Sequence, residues 1–506
     1  MFFRCRLLFT IFAFGLIATP SGMATDAGHT LLSDLITKER ALFYAENPGS
    51  GPFDLPQPVA EKMQSVTEAD QQRRRKAWQT LHDELDAIKT EGLSAEDTLN
   101  HQLMRYHLDA KLLFAKHKTW RLPLQSDSGF HTAPARIWHS INFNTQEDYA
   151  AYIAMLQDLP RFLAENTENL RKGLESGFSM PKVVLEGLLP SFDAMVIEDA
   201  FDSPFYGPFK GRLVNVSGAN SLGLKGAAMA VIEGPVKAAY QQLATFMKET
   251  YYPQATSDLA ASKRPGGKAY YADMVKYYTT LDVTANDVHD LGLSEVARIR
   301  AEMEEVIVQA GFKGSFAEFL AFLRTDPQFY AKTPKELLMH ASYFAKIIDG
   351  KLPSLFGRLP RQSYGVEAVP DAIAPNYTTG RYLGAAPSGP RGGYYWVNTY
   401  ALDKRPLYVL PSLTLHEGMP GHHLQIALTL ELENVPEFRR ALYPHAFGEG
   451  WGFYAEKLGI ELGLYTTPYE EFGRLSYEMW RACRLVVDTG IHAKGWTRAR
   501  AIKLLE

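Results

Sequence analysis

The chain has 506 residues, of which 46% are hydrophobic, 22% charged and 12% aromatic, so a large packed core is possible and wholesale disorder is excluded. A formal net charge of −4 argues against nucleic acid as the main partner, because phosphate binding calls for a basic surface. Two cysteines, Cys5 and Cys483, exclude a disulfide framework.

Residues 1–24 read MFFRCRLLFTIFAFGLIATPSGMA. Arg4 and Arg6 precede an apolar run from Leu7 to Ala18, and small residues follow, the pattern of a secretory signal peptide cut after Ala24. The run is far shorter than the roughly 20 residues of a membrane span, so no stable membrane insertion is expected after cleavage. Cys5 lies before the apolar run, which excludes it as a lipid-anchor cysteine at the cleavage site. Loss of Arg4 and Arg6 brings the net charge to −6 and leaves Cys483 as the sole thiol. The expected location is periplasmic or secreted. Cys483 sits among apolar residues and reads as an inert buried thiol.

Residues 25–261 read as an N-terminal helical region. Long polar and apolar alternations mark helices at Ala69–Asp86, Ser94–Lys116, Ala150–Gly177 and Gly223–Tyr252. The basic cluster Arg73–Lys76 reads as a solvated helix face. Phe201–Phe209 is a Pro/Gly/aromatic loop, and Ser262–Gly267 (SKRPGG) is the linker candidate. Residues 268–506 form the second region, with helices at Ser294–Gly311, Ser315–Leu323 and Pro334–Gly350. Pro, Gly and Tyr crowd Pro360–Pro390, and Gly393-Tyr-Tyr-Trp-Val-Asn398 then reads as a strand. Helical pattern resumes at Pro411. The fold class is mainly α, one multi-helix unit with a small β element just upstream of the most unusual motif.

That motif is His416-Glu-Gly-Met-Pro-Gly-His-His423, with three histidines and one carboxylate in eight residues. Neutral imidazoles and carboxylates are zinc ligands, and a catalytic zinc site uses three of them plus water. The familiar HExxH pattern puts two histidines at i and i+4 on one helix face. Here the spacing is six to His422 and seven to His423. A regular helix would separate such residues by about 10 Å along its axis, too far for one ion. Pro420 and Gly421 permit a bulge that brings His422 to the second ligand position, with His423 as the other choice. Glu417 then stands beside the metal, placed to take a proton from water.

The third ligand is expected from Phe447–Gly459, FGEGWGFYAEKLG. Glu449, on an antiparallel return helix, faces the histidine pair, and Gly448, Gly450 and Gly452 allow close approach. Glu456, two turns on, suits a supporting role.

HEGMPGHHLQ, EGWGFYAE and Arg481-Ala-Cys-Arg-Leu-Val-Val-Asp-Thr-Gly-Ile-His492 resemble the bacterial domain-of-unknown-function family 885 (DUF885). That family is similar to gluzincin zinc metallopeptidases of the helical angiotensin-converting-enzyme and carboxypeptidase Taq types. The resemblance implies a helical fold with a deep cleft, His416, His422 and Glu449 as ligands of one Zn²⁺, and Glu417 as base. Relatives run on past the equivalent of Glu506, so the resemblance implies that one wall of the cleft lies beyond this chain's last residue.

Two further segments read as cleft walls. On the helix Tyr477–His492, Tyr477, Arg481, Arg484, Asp488 and His492 recur at spacings of three or four as one polar stripe. Tyr477, His492 or an arginine such as Arg484 is expected to donate to the oxyanion. Arg391–Asn398, read as an edge strand, would add an extended peptide, with Tyr395 and Asn398 holding it. The expected activity is hydrolysis of short peptides. A zinc amidase acting on a non-peptide or cell-wall amide, or a helical binding protein with a degenerate metal site, are the alternatives.

Overall fold

A computed structural model describes residues 21–52, 55–126, 128–371, 373–385 and 392–506. Most of the expected signal peptide, residues 1–20, lies outside the described residues, as does Arg391.

The N-terminal region holds α1 (Ser21–Glu46), α2 (Glu68–Asp86), α3 (Ala95–Lys116), α4 (Gln146–Glu175), α5 (Lys182–Asp193), α6 (Gly218–Val231), α7 (Lys237–Phe246) and α8 (Tyr252–Gln254). Short π-helical turns join α6 to α7 and α7 to α8, so the expected Gly223–Tyr252 helix is one rod with two bulges. Local sequence sets the starts. Thr67 caps α2 by accepting from the Asp70 amide, and Ser94 caps α3 through Asp97. Thr145 and Asp148 form a reciprocal capping box on α4. The apolar face of α4 (Tyr149, Tyr152, Ile153, Leu156, Leu159, Leu163, Leu170) recurs every three or four residues and anchors the largest core, with Phe192, Phe205, Phe209 and Tyr240. Phe201–Phe209, expected as a loop, forms two 3₁₀ turns that put Phe205 and Phe209 into that core. Arg74 departs from the solvated face expected of its cluster. It is 4% exposed and donates to Glu46 at 2.7 Å.

The second region holds α9 (Gly267–Thr279), α10 (Ala285–Gln309), α11 (Phe316–Thr325), α12 (Pro334–Lys351), β1 (Tyr364–Ala368), β2 (Gly380–Leu383) and β3 (Gly393–Val397). There follow α13 (Leu410–Glu417), α14 (His422–Leu430), α15 (Glu437–Ala441), α16 (His445–Glu461), α17 (Pro468–His492) and α18 (Arg498–Leu505). Helix α17 packs along α10, where Gly292 allows the approach: a Cβ there would lie 2.8 Å from Val486 Cγ2. Cys483 of α17 is buried, and burial pushes its thiol pKa up. The SKRPGG segment is pinned. Ala261 N–H donates to His492 Nδ1 at 3.0 Å, and Gly267 is buried against Ala261. Tyr44 donates to Glu437, and Arg439 to Asn100, so the two regions are bonded to each other far from this junction as well.

The sheet order is β1-β3-β2, with β1 parallel and β2 antiparallel to β3. β3 is therefore the central strand and not an edge. Tyr395 is fully buried, and both sides of its strand are already paired, so it offers no edge to a peptide. Asn398 is also fully buried. Its Nδ2 donates to the carbonyls of Ala374, Tyr377 and Thr378 at 2.9–3.1 Å, and its Oδ1 accepts from Tyr400 N–H. Every polar atom of that side chain is used to tie the segment before β2 to the turn after β3, which leaves none for substrate. β1 and β2 carry no strand signal in the sequence, because their residues lie in a Pro/Gly/Tyr-rich tract with no period of two.

Candidate metal centre

Helix α13 is buried on all sides and ends at Glu417. The chain then leaves the helix outright through Gly418–Gly421, a wider break than a bulge, and restarts as α14 at His422. Gly421 is required at this turn, because a Cβ there would sit 2.0 Å from the His416 carbonyl oxygen. Trp451 Nε1 on α16 donates to the Pro420 carbonyl at 2.7 Å and fastens the turn to the helix that carries Glu449.

The turn brings the His416 and His422 rings to a centroid separation of 4.7 Å, nearly perpendicular. Glu449 reaches both, with Oε2 3.7 Å from His416 Nε2 and Oε1 3.9 Å from His422 Nε2. One ligand atom from each of the three residues lies within 4.8 Å of the others. Tetrahedral zinc with bonds near 2.0–2.1 Å places donors roughly 3.4 Å apart. Small side-chain rotations close that gap, so the donor set fits a divalent ion of the zinc type. The histidine side chains are 8% and 10% exposed and Glu449 is 62% exposed, so the centre opens to solvent on the Glu449 side. Gly452 makes room for the first ligand, since a Cβ there would lie 2.7 Å from the His416 ring. Gly448 receives the Tyr443 ring, whereas Gly450 faces open space and needs no small residue.

His423 points elsewhere. It is 1% exposed, its Nε2 lies 3.0 Å from the Gln362 carbonyl and its Nδ1 lies 2.8 Å from the Tyr382 hydroxyl. With both nitrogens engaged it has no lone pair to offer a metal. Of the two adjacent histidines, only His422 joins His416.

Behind His416, Nδ1 lies 2.9 Å from Oε1 of Glu456, a carboxylate 1% exposed. Arg481 Nη2 donates to the same oxygen at 2.7 Å. This carboxylate fixes the ring and leaves Nε2 facing Glu449. Burial works against a charged His416, but the Glu449 and Glu456 carboxylates outweigh it and hold its pKa up to about 9. Hydrogen bonding to His416 lowers Glu449 to about 2. His422 is pushed down to about 4 by burial and by the neighbouring His416 charge. Glu417 is 9% exposed, accepts from the Tyr382 amide at 2.7 Å through Oε2, and has its pKa raised by burial.

Tyr477 on α17 has a buried hydroxyl without a hydrogen-bond partner among the described residues, within reach of the charges of Glu456, Arg481 and Glu417. The polar stripe of α17 divides after Arg481. Arg484 is exposed, and Asp488 accepts from the Tyr271 hydroxyl. His492 lies about 16 Å along the axis from Arg481 and is engaged by the Ala261 amide. Neither Arg484 nor His492 reaches the centre, because α17 runs on past it toward α9. Arg481 was in the expected stripe, and only packing singles it out. No local signal in the sequence marks Tyr382.

A sequence profile described as "Bacterial protein of unknown function (DUF885)" matches residues 50–506. The chain belongs to this family. The DUF885 chain has a close fold likeness to a candidate lipoprotein from Colwellia psychrerythraea, at 27% identity and a TM-score of 0.84, over 94% of this chain and 85% of that one. A candidate lipoprotein of unknown function from Shewanella oneidensis matches 96% of this chain and 89% of its own. At 15% identity and a TM-score of 0.56, that likeness concerns the fold alone. No curated protein matches this DUF885 member.

Proposed function

We propose that this DUF885 protein is a zinc-dependent peptidase of gluzincin type that hydrolyses short peptides outside the cytoplasm. The observation that carries the reading is the convergence of His416, His422 and Glu449 donors within 4.8 Å, beside a buried Glu417. When bound, zinc supplies Lewis acidity that makes water a nucleophile near neutral pH. Glu417 takes the proton of the attacking water and returns it to the leaving amine. Burial raises its pKa above the ordinary carboxylate value, which suits a group that gains and loses a proton in each turnover. The Tyr477 hydroxyl, which no described residue engages, is the donor for the oxygen that gains charge when the carbonyl is attacked. Glu456 orients His416, and Arg481 holds Glu456. A structural zinc site is closed by four protein ligands. Here three donors converge and one side is open. Export is supported by the Colwellia relative, itself described as a candidate lipoprotein, and by the N-terminal pattern of the sequence. Among the described residues no helix is long and apolar enough to cross a membrane.

The test is metal content with peptide digestion. The wild type is expected to hold one zinc per chain and to cleave mixed short peptides in preference to cell-wall fragments. His416→Ala, His422→Ala and Glu449→Ala are expected to lose both metal and activity, while Glu417→Gln keeps the metal. A zinc-supplemented preparation without metal would overturn the reading. Cleavage confined to cell-wall fragments would replace the peptidase with an amidase.

A further inference from the structure

The third histidine of the motif, His423, the Gly393 strand and Tyr382 have no part in the chemistry above, yet they form one line of contacts ending at Glu417. The Gln362 carbonyl can only accept, so His423 Nε2 carries the proton and donates to it at 3.0 Å. The Nδ1 lone pair then accepts from the Tyr382 hydroxyl at 2.8 Å. Tyr382 in turn uses its backbone amide to hold Glu417 Oε2 at 2.7 Å. Its ring lies over Gly393 of β3, where a Cβ would stand 2.1 Å from the hydroxyl oxygen, so glycine is required for the hydroxyl to reach His423. The Tyr364 ring packs on the other side of the imidazole, with centroids 4.6 Å apart.

The arrangement matters because β2 is a four-residue edge strand. It is paired with β3 on one side only, and so short an edge is weakly held by its ladder alone. The outward amide of Tyr382 is the one that meets Glu417. Among the described residues Glu417 Oε1 makes no hydrogen bond, so the amide sets which oxygen faces the centre. We infer that His423 is a positioning residue: through the Tyr382 hydroxyl it fixes the edge-strand amide that orients the Glu417 carboxylate. This rests on the reading of Glu417 as the base.

Two substitutions separate the two nitrogens. His423→Asn keeps an acceptor where Nδ1 stood, and His423→Gln keeps a donor where Nε2 stood but offers Tyr382 nothing. Tyr382→Phe removes the hydroxyl alone. Each zinc-loaded variant is assayed for metal content, for kcat and KM, and for amide hydrogen exchange over residues 380–385. The expected result is kcat lowered about tenfold to a hundredfold in His423→Gln and Tyr382→Phe, with KM and zinc unchanged. Exchange over 380–385 quickens in the same two variants. His423→Asn stays near the wild type in both. Equal behaviour of His423→Asn and His423→Gln would overturn the inference. So would unchanged exchange in Tyr382→Phe, or a kcat that falls only as zinc is lost. Quickened exchange in a protein that cleaves no peptide would support the link from His423 to β2 and overturn the peptidase reading alone.

Discussion

Two buried histidines, one in each region, are driven in opposite directions. His131 lies in the N-terminal core, fully buried and stacked on Phe192 at 3.8 Å. Ser191 Oγ donates to the Leu188 carbonyl, so His131 Nε2 donates to Ser191, and Nδ1 is left without a partner among the described residues. Burial alone acts there and lowers its pKa to about 4. His416 is nearly as buried, but the Glu449 and Glu456 carboxylates hold it up to about 9. Burial therefore does not decide the charge of a histidine. The partners that the fold brings to it do, and His131 has a serine hydroxyl where His416 has two carboxylates.

The contrast can be broken most sharply at Glu417. Glu417→Gln is expected to reduce peptide hydrolysis by about a thousandfold or more while zinc content stays at one per chain, read by peptide assay beside metal analysis. Loss of zinc in that variant would make Glu417 part of the ligand set.

The N-terminal side is tested by acid. The folded pKa of His131 is depressed, so as pH falls below about 6.5 the unfolded chain takes up the proton first. Its contribution to stability is complete above that pH and is lost as pH falls toward 4. Between pH 7 and 4, His131→Phe is expected to lose less stability than the wild type, by up to about 3 kcal/mol, measured by denaturant unfolding. Parallel curves would show that His131 takes up its proton without unfolding.

Glu456→Ala leaves His416 without its buried partner and Arg481 without its carboxylate. Zinc affinity is expected to fall about tenfold to a hundredfold in competition with a chelator, with Glu456→Gln falling less. The last effect follows from the His416 proton, which zinc must displace. Affinity is expected to rise about tenfold per pH unit up to about 9, with one proton released per ion at pH 7, read by calorimetry in buffers of different ionisation enthalpy. Glu449 near 2 and His422 near 4 are already unprotonated there, so they add nothing to the slope.

Much of the fold was legible in the chain itself. Helices α2, α3, α4, α11 and α12 lie where apolar spacing puts them, whereas α5 and α9 stand outside the expected helices and α10 begins at Ala285, capped by Thr284, nine residues before the expected Ser294. The three donors were also legible, because His416, Glu417 and His422 are neighbours and Glu449 lies one return helix away. Choices between like residues were not. His422 and His423 are adjacent and chemically identical, and they part only because Tyr382 and Gln362 engage both nitrogens of the second. Arg481, Arg484 and His492 share a stripe on α17, yet only Arg481 stands level with Glu456.

The sequence by itself determined the helical class, the place of many of the helices and a cluster of histidine and glutamate, residue types that bind zinc, because those signals act over one or two turns of chain. Tertiary structure alone decided which histidine, which arginine and which strand serve the centre. Those choices rest on contacts between residues 25 to 41 positions apart: Arg481 to Glu456, Tyr382 to Glu417, Glu456 to His416 and Tyr382 to His423. No local pattern encodes a distance that exists only once the elements have packed.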